Sequence, residues 1–161
     1  MATRLIDGKK IAADIRGEVS EATSEFTGKT GVVPGLAVVL VGDDPASSVY
    51  VRNKHRAATE AGMLVEDITF PNSVGQDELL SHIRRLNSDR RIHGILLQLP
   101  VPPHINQHEI IAALDPEKDV DGLHPVNIGL LVAGKQRFVP ATPAGIKHLL
   151  LRSSFDTEGK H

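Results

Sequence analysis

The chain's only tyrosine stands four residues ahead of a lysine, in Tyr50-Val-Arg-Asn-Lys54. On a helix that spacing puts both side chains on one face. The segment follows an apolar run, Gly35-Leu-Ala-Val-Val-Leu-Val-Gly42, and the turn Asp43-Asp-Pro-Ala-Ser-Ser48. Tyr50 and Lys54 therefore belong to the first two turns of a helix that opens at the carboxyl end of a strand, where open α/β sheets bind ligands. A lysine placed there becomes an acid or base near neutral pH when burial lowers its pKa. Taken alone, the pair is better explained by a surface helix with a half-buried tyrosine and a solvated lysine, since such pairs are common on helices.

Three further clusters offer chemistry. Gln98-Leu-Pro-Val-Pro-Pro103 closes an apolar run with a polar side chain, odd as packing and sensible as a ligand contact. Its prolines stiffen the rim, and an X-Pro bond here can be cis; a plain proline-rich turn is the alternative. Pro116-Glu-Lys-Asp-Val-Asp-Gly122 is a charged loop. A carboxylate from it can accept paired hydrogen bonds from a ring N–H and an amino group, or the loop is a solvated turn. Val139-Pro-Ala-Thr-Pro143 reads as strand, turn and helix cap. His104 and His108 have i, i+4 spacing but straddle a helix cap at Asn106 and lack a third ligand pattern, which argues against a metal. The Gly42-Asp-Asp-Pro turn does not suit phosphate, because two carboxylates repel it.

The elements that must position these residues alternate along the chain. Ile11, Ile15, Val19, Ala22 and Phe26 recur every three or four residues, predicting an amphipathic helix over 9–28. A strand over 35–42 buried on both faces follows, then a helix over about 47–61. A second strand spans 64–70, a helix 76–86 and a third buried strand 94–99. Asn106-Gln-His-Glu109 predicts a helix-capping box, and Thr142-Pro143 a further helix start. Strands separated by helical patterns imply a βαβ architecture with a mostly parallel sheet.

Composition sets the remaining bounds. The 161 residues, 40% of them hydrophobic, suit one domain with a substantial core. A net charge of -2 with dispersed basic residues and 3% aromatics argues against a nucleic-acid surface. The absence of cysteine excludes disulfides and thiol nucleophiles and fits a reducing cytoplasm. The N-terminus, Met-Ala-Thr-Arg-Leu-Ile-Asp, has no signal-peptide core, and no apolar run approaches the ~20 residues of a membrane span. A soluble intracellular domain is expected.

Tyr50-x-x-x-Lys54, Gln98-Leu-Pro-Val-Pro102, Pro116-Glu-Lys-Asp-Val-Asp-Gly122 and Pro140-Ala-Thr-Pro143 occur in the order and spacing of one family. From about Gly8 onward the chain resembles the bifunctional methylenetetrahydrofolate dehydrogenase/methenyltetrahydrofolate cyclohydrolases. It departs from them at Ala141, where the family commonly has cysteine. It also stops at Gly159-Lys-His161, where the family's Rossmann domain begins. The resemblance implies a folate-binding catalytic domain over 1–161: a three-layer α/β/α domain of the amino-acid-dehydrogenase-like N-terminal type. It implies NADP-dependent oxidation of 5,10-methylenetetrahydrofolate and hydrolysis of the methenyl product to 10-formyltetrahydrofolate, in cytoplasmic one-carbon metabolism.

By that resemblance Lys54 is the central catalytic group, Gln98 orients it, and Tyr50 stacks on the aminobenzoate ring. Asp121 grips the pterin, with Asp119 the lesser candidate in the same loop. Pro100 and Ser48 line the substrate site, though Ser48 fits helix capping as well. The family is homodimeric through its nucleotide domain. This chain alone is therefore expected to be monomeric, to bind no NADP, and to expose apolar surface near the 143–151 helix. Two other classes compete: a folate-binding domain without dehydrogenase activity, and a short-chain-dehydrogenase-type oxidoreductase with Tyr50 as the acid/base. The latter wants an N-terminal glycine-rich loop and a serine about a dozen residues before the tyrosine, and Ala37 and its neighbours are apolar.

Overall fold

The structure, a computed structural model, describes residues 5–155 and 158–159. The readings of Met1 to Arg4 and of the final Lys160-His161 lie outside the described residues. Three strands, β1 (Gly35–Val41), β2 (Leu64–Phe70) and β3 (Gly94–Leu97), form a parallel sheet in the order β2-β1-β3. Gly35 pairs with Leu64 and Val41 with Phe70 on one side; Leu36 pairs with Gly94 and Val39 with Leu97 on the other. The central strand is apolar throughout because both its faces are covered.

Alternation along β1 divides the core into two layers. Ala37, Val39 and Val41 join Ile95 and Leu97 against Leu79, Leu80, Ile83 and Leu86 of helix α3 (Gln76–Ser88) and Ile110 and Ile111 of α4 (Gln107–Ala113). Val38, Leu40 and Leu96 face Val51 of α2 (Pro45–Glu60) on the opposite side. The domain is therefore a three-layer α/β/α arrangement. Leu79 and Ile83 have no exposed surface, and each such burial stabilises by about 1.5–3 kcal/mol.

Helix α1 (Gly8–Thr30) ends where Gly31 adopts φ +71° and donates its N–H to the Thr27 carbonyl. Its expected apolar face is covered only in part: Ile11 is buried, while Val19 and Phe26 remain 39% and 47% exposed. The described chain presents little to that face beyond α6 (Ala141–Arg152), to which α1 is tied by the two-bond Arg152–Glu18 ion pair.

Several boundaries correct the sequence reading. Pairing in β3 stops at Leu97 rather than 99, although the Gln98 N–H still donates to the Val39 carbonyl. Asn106 caps α4 by accepting from the Glu109 N–H, but the return bond of a capping box is missing. Gln76 takes its place, accepting from the Asn106 N–H and donating to the Glu109 carboxylate. Val139 belongs to no strand, and α6 begins at Ala141, so Thr142 and Pro143 lie inside its first turn. An unpredicted helix, α5 (Pro125–Val132), is capped by His124, whose Nδ1 accepts from the Val126 N–H. No helix among the described residues is long and apolar enough to cross a membrane.

Candidate active site

The chain leaves β1 for β2 through α2 and returns past β1 to β3, so the crevice between the carboxyl ends of β1 and β3 is the sheet's topological switch point. Sequence dictates what reaches it. Asp44 accepts from the Ser47 N–H at 2.7 Å and Pro45 opens the first turn, fixing the start of α2. Two turns on, Lys54 Nζ donates to Gln98 Oε1 at 3.0 Å. Gln98 Nε2 donates to the Leu99 carbonyl at 2.7 Å, which fixes the amide orientation and turns its oxygen to the lysine. The following Leu99–Pro100 peptide is cis, and Pro100 is exposed at the rim.

The acidic loop reaches the same place through the sheet. Ile95 and Asp119 form a parallel bridge, with the Ile95 N–H donating to the Lys118 carbonyl and the Val120 N–H to that of Ile95. Residues 118–120 thus act as a rudimentary fourth strand beside β3, and Asp121 extends from it toward the carboxyl edge where Gln98 lies. Gly94 permits this contact, because a Cβ there would come within 2.5 Å of Val120 Cγ1. Burial raises the Asp121 carboxyl above the usual range; the Lys54 charge opposes the shift and the Asp119 charge adds to it.

The two aspartates of the loop differ in kind. Asp119 is 1% exposed and its Oδ2 already accepts from the His124 N–H and from Asn127 Nδ2. Its carboxylate is engaged within the fold, which leaves Asp121 as the carboxylate of that loop facing Lys54. Tyr50, on the lysine's face of α2, is 59% exposed and presents a free ring.

Ser48 is not brought to this group. Its Oγ donates to the Asp44 carbonyl at 3.0 Å, and it lines a separate cleft of about 440 Å³ with His55, Asp67 and Thr69 on the β2 side of α2. His104 is also spoken for, its Nε2 lying 2.9 Å from the Val74 carbonyl oxygen. Two features were missed in the sequence. Arg16, Asn53, Arg56 and Glu60 line a polar cleft of about 490 Å³ between α1 and α2, next along the helix from Tyr50. The i, i+3 placement of Asn53 and Arg56 was legible; the approach of Arg16 from another helix was not. Asn127 is wholly buried against the acidic loop 8 and 11 residues before it, a contact between separate elements with no local signal.

Fold and site together define an α/β domain with an oriented lysine, a half-buried carboxylate and an exposed aromatic ring toward the carboxyl edge of its sheet. The model of the tetrahydrofolate dehydrogenase/cyclohydrolase catalytic domain matches residues 6–121, and the chain belongs to that family. It is 49% identical over 159 residues to the bifunctional protein FolD of Streptococcus pneumoniae and 52% identical to that of Streptococcus pyogenes serotype M5. Both alignments cover 99% of this chain and 56% of the relative.

Among solved structures, the bifunctional FolD enzyme of Campylobacter jejuni superposes with a TM-score of 0.93 at 42% identity, over 98% of this chain and 56% of that one. The Trypanosoma brucei enzyme, solved with NADP cofactor and an inhibitor, gives 0.94 at 34% identity, over 99% and 55%. The chain spans about half the length of the curated relatives it matches.

Proposed function

We propose that residues 1–161 are the folate-binding catalytic domain of an enzyme that oxidises 5,10-methylenetetrahydrofolate with NADP and hydrolyses the methenyl product to 10-formyltetrahydrofolate. The observation that carries this reading is the Lys54–Gln98 hydrogen bond at the switch point, within the electrostatic reach of Asp121. The methenyl bridge carbon is cationic and takes a water molecule. As the new C–O bond forms, the proton that the water loses passes to Lys54. The resulting ammonium then protonates N5 as the bond from carbon to N5 breaks, leaving the formyl group on N10 and a net release of one proton. Gln98 keeps Nζ on the line of attack, Asp121 accepts from the pterin ring N–H and amino group, and Tyr50 covers the aminobenzoate ring. Pro100 forms the rim.

The anionic glutamate end of a folate would reach along the same helix to the cleft of Arg16, Asn53 and Arg56, where two guanidinium groups outnumber the Glu60 carboxylate. Among the described residues, the turn that leads from β1 into α2 does not suit the pyrophosphate of NADP. The described strand-to-helix turn after β1 carries Asp43 and Asp44, and Asp44 is already the cap of α2. On this reading the nicotinamide site lies in the further length of the relatives, and the part played by residues 1–161 is to hold and hydrolyse the folate. The same reading carries a cytoplasmic place in purine, histidine and methionine biosynthesis. It also carries a monomeric state for the chain alone, against a homodimer for the full-length family.

Steady-state hydrolysis of 5,10-methenyltetrahydrofolate, with and without the Lys54→Met substitution, tests the proposal. Retained turnover in the variant would remove its chemical core.

A further inference from the structure

Asp119 is a buried carboxylate with no lysine or arginine in ion-pair range among the described residues. A charge in that position is costly unless hydrogen bonds compensate it. Its compensation comes from the start of α5: the His124 N–H at 2.8 Å and Asn127 Nδ2 at 2.9 Å, with the positive end of the helix dipole behind them. Asn127 has no exposed surface, and the same Nδ2 donates to the Pro116 carbonyl at 2.9 Å. One amide thus ties together the first residue of the loop and its central carboxylate.

Both of these bonds require Nδ2 as donor, so the amide orientation is fixed. Oδ1 is left as a buried acceptor without a partner. The orphaned acceptor costs free energy, which is set against the two hydrogen bonds that Nδ2 gives to Asp119 and Pro116. What the amide does supply is position. From Asp119 the backbone passes through Val120, held by its N–H to the Ile95 carbonyl and by the close approach of its side chain to Gly94, directly to Asp121. Two residues of pinned, strand-like chain leave little slack between the clamp and the carboxylate that faces Lys54.

We infer that Asn127 is a positioning residue: with Asp119 it clamps the Pro116–Gly122 loop to α5 and so sets where the Asp121 carboxylate meets the folate. This rests on Asp121 being the pterin contact of the proposed function.

Two measurements on the 161-residue chain test it. The first is amide hydrogen exchange at Val120 and Gly122 without ligand. The second is the calorimetric Kd for 5-formyltetrahydrofolate in wild type, Asn127→Ala, Asp121→Ala and the double variant. Asn127→Ala should speed exchange at both amides by about tenfold and weaken Kd by a similar factor. In the Asp121→Ala background its effect on Kd should shrink to less than about twofold, because a residue acting through Asp121 has nothing left to position.

Asn127→Leu keeps the volume, removes the orphaned acceptor, and should show the same pattern if the alanine variant fails to fold. Unchanged exchange, or a Kd penalty equal in both backgrounds, overturns the inference. A wild-type chain that does not bind 5-formyltetrahydrofolate would instead sink the folate reading of the site, while exchange would still decide whether the clamp exists.

Discussion

Lys54 on α2 and Gln98 at the tip of β3 are 44 residues apart in sequence and meet in a 3.0 Å hydrogen bond. The glutamine is itself held at both ends. Its N–H donates to the Val39 carbonyl and its side-chain amide to the Leu99 carbonyl. The flexible end of the lysine is thereby referred to the central strand of the sheet.

Lys54→Met should abolish hydrolysis of methenyltetrahydrofolate and leave folate binding nearly intact, because methionine keeps the length and apolar stem but carries no proton. The change in unfolding free energy should stay within about 0.5 kcal/mol, as for most substitutions at partly exposed positions. Gln98→Ala should leave a slow residual hydrolysis, since the amine persists and only its orientation is lost. Equal, small effects of both substitutions in steady-state assays would show that the bond is merely structural.

Gly94→Ala probes the link between the sheet and the acidic loop. The added Cβ would stand 2.5 Å from Val120 Cγ1, so the loop must shift away from β3. Overpacking of this kind costs about 1–3 kcal/mol. Folate affinity should fall with it, since Asp121 lies one residue beyond Val120. Denaturant unfolding and calorimetry measure the two effects, and a loss of stability without loss of affinity would place Asp121 outside the site.

The legibility of these features in sequence follows from the range of the forces that make them. β1 and β3 are short apolar runs, and β2, with Glu66 and Asp67 inside it, is marked by its β-branched residues between Gly62 and Pro71, so local composition reveals all three. Lys54 and Gln98 were visible because both follow from the rule that strand carboxyl ends carry ligand contacts. α5 escaped because Pro-Val-Asn-Ile-Gly-Leu-Leu-Val has no polar face to give a period, and its cap is a histidine. Ser48 was placed by its sequence distance from Lys54, whereas its direction around α2 carries it to the β2 side. The Asn127 clamp and the Arg16–Arg56 cleft rest on contacts between separate elements, which no local pattern encodes.

The Arg16–Asn53–Arg56 cleft predicts a preference by charge. Arg16→Glu combined with Arg56→Glu should weaken binding of a polyglutamylated folate by about tenfold or more at low salt, and of a monoglutamate much less. The difference should shrink as ionic strength rises, because exposed charges are screened beyond about 8 Å at physiological salt. Calorimetry with both ligands at two salt concentrations measures it. An equal loss for both ligands would mean that the two arginines serve the fold and not the tail.

Asp121 makes the last prediction, in which stability and binding run in opposite directions with pH. Burial holds its carboxyl above the ordinary value, with Asp119 adding to the shift and Lys54 opposing it. In the window between the unfolded and folded pKa, the native state binds the proton more tightly, so stability falls as pH rises through that window. At neutral pH the ionised Asp121 is therefore a net cost to the fold. Asp121→Asn should raise Tm at neutral pH and flatten the dependence of Tm on pH just above the usual carboxylate range. Folate binding needs the ionised acceptor and should weaken on acidification, starting at a higher pH than an exposed aspartate would give. Lys54→Met removes the charge that opposes the shift, so it should move this acid limb to higher pH still. Thermal melts and calorimetric affinities across the acid range check all three. A lower Tm for Asp121→Asn at neutral pH would show that the carboxylate stabilises the loop, and that its place beside Lys54 is structural.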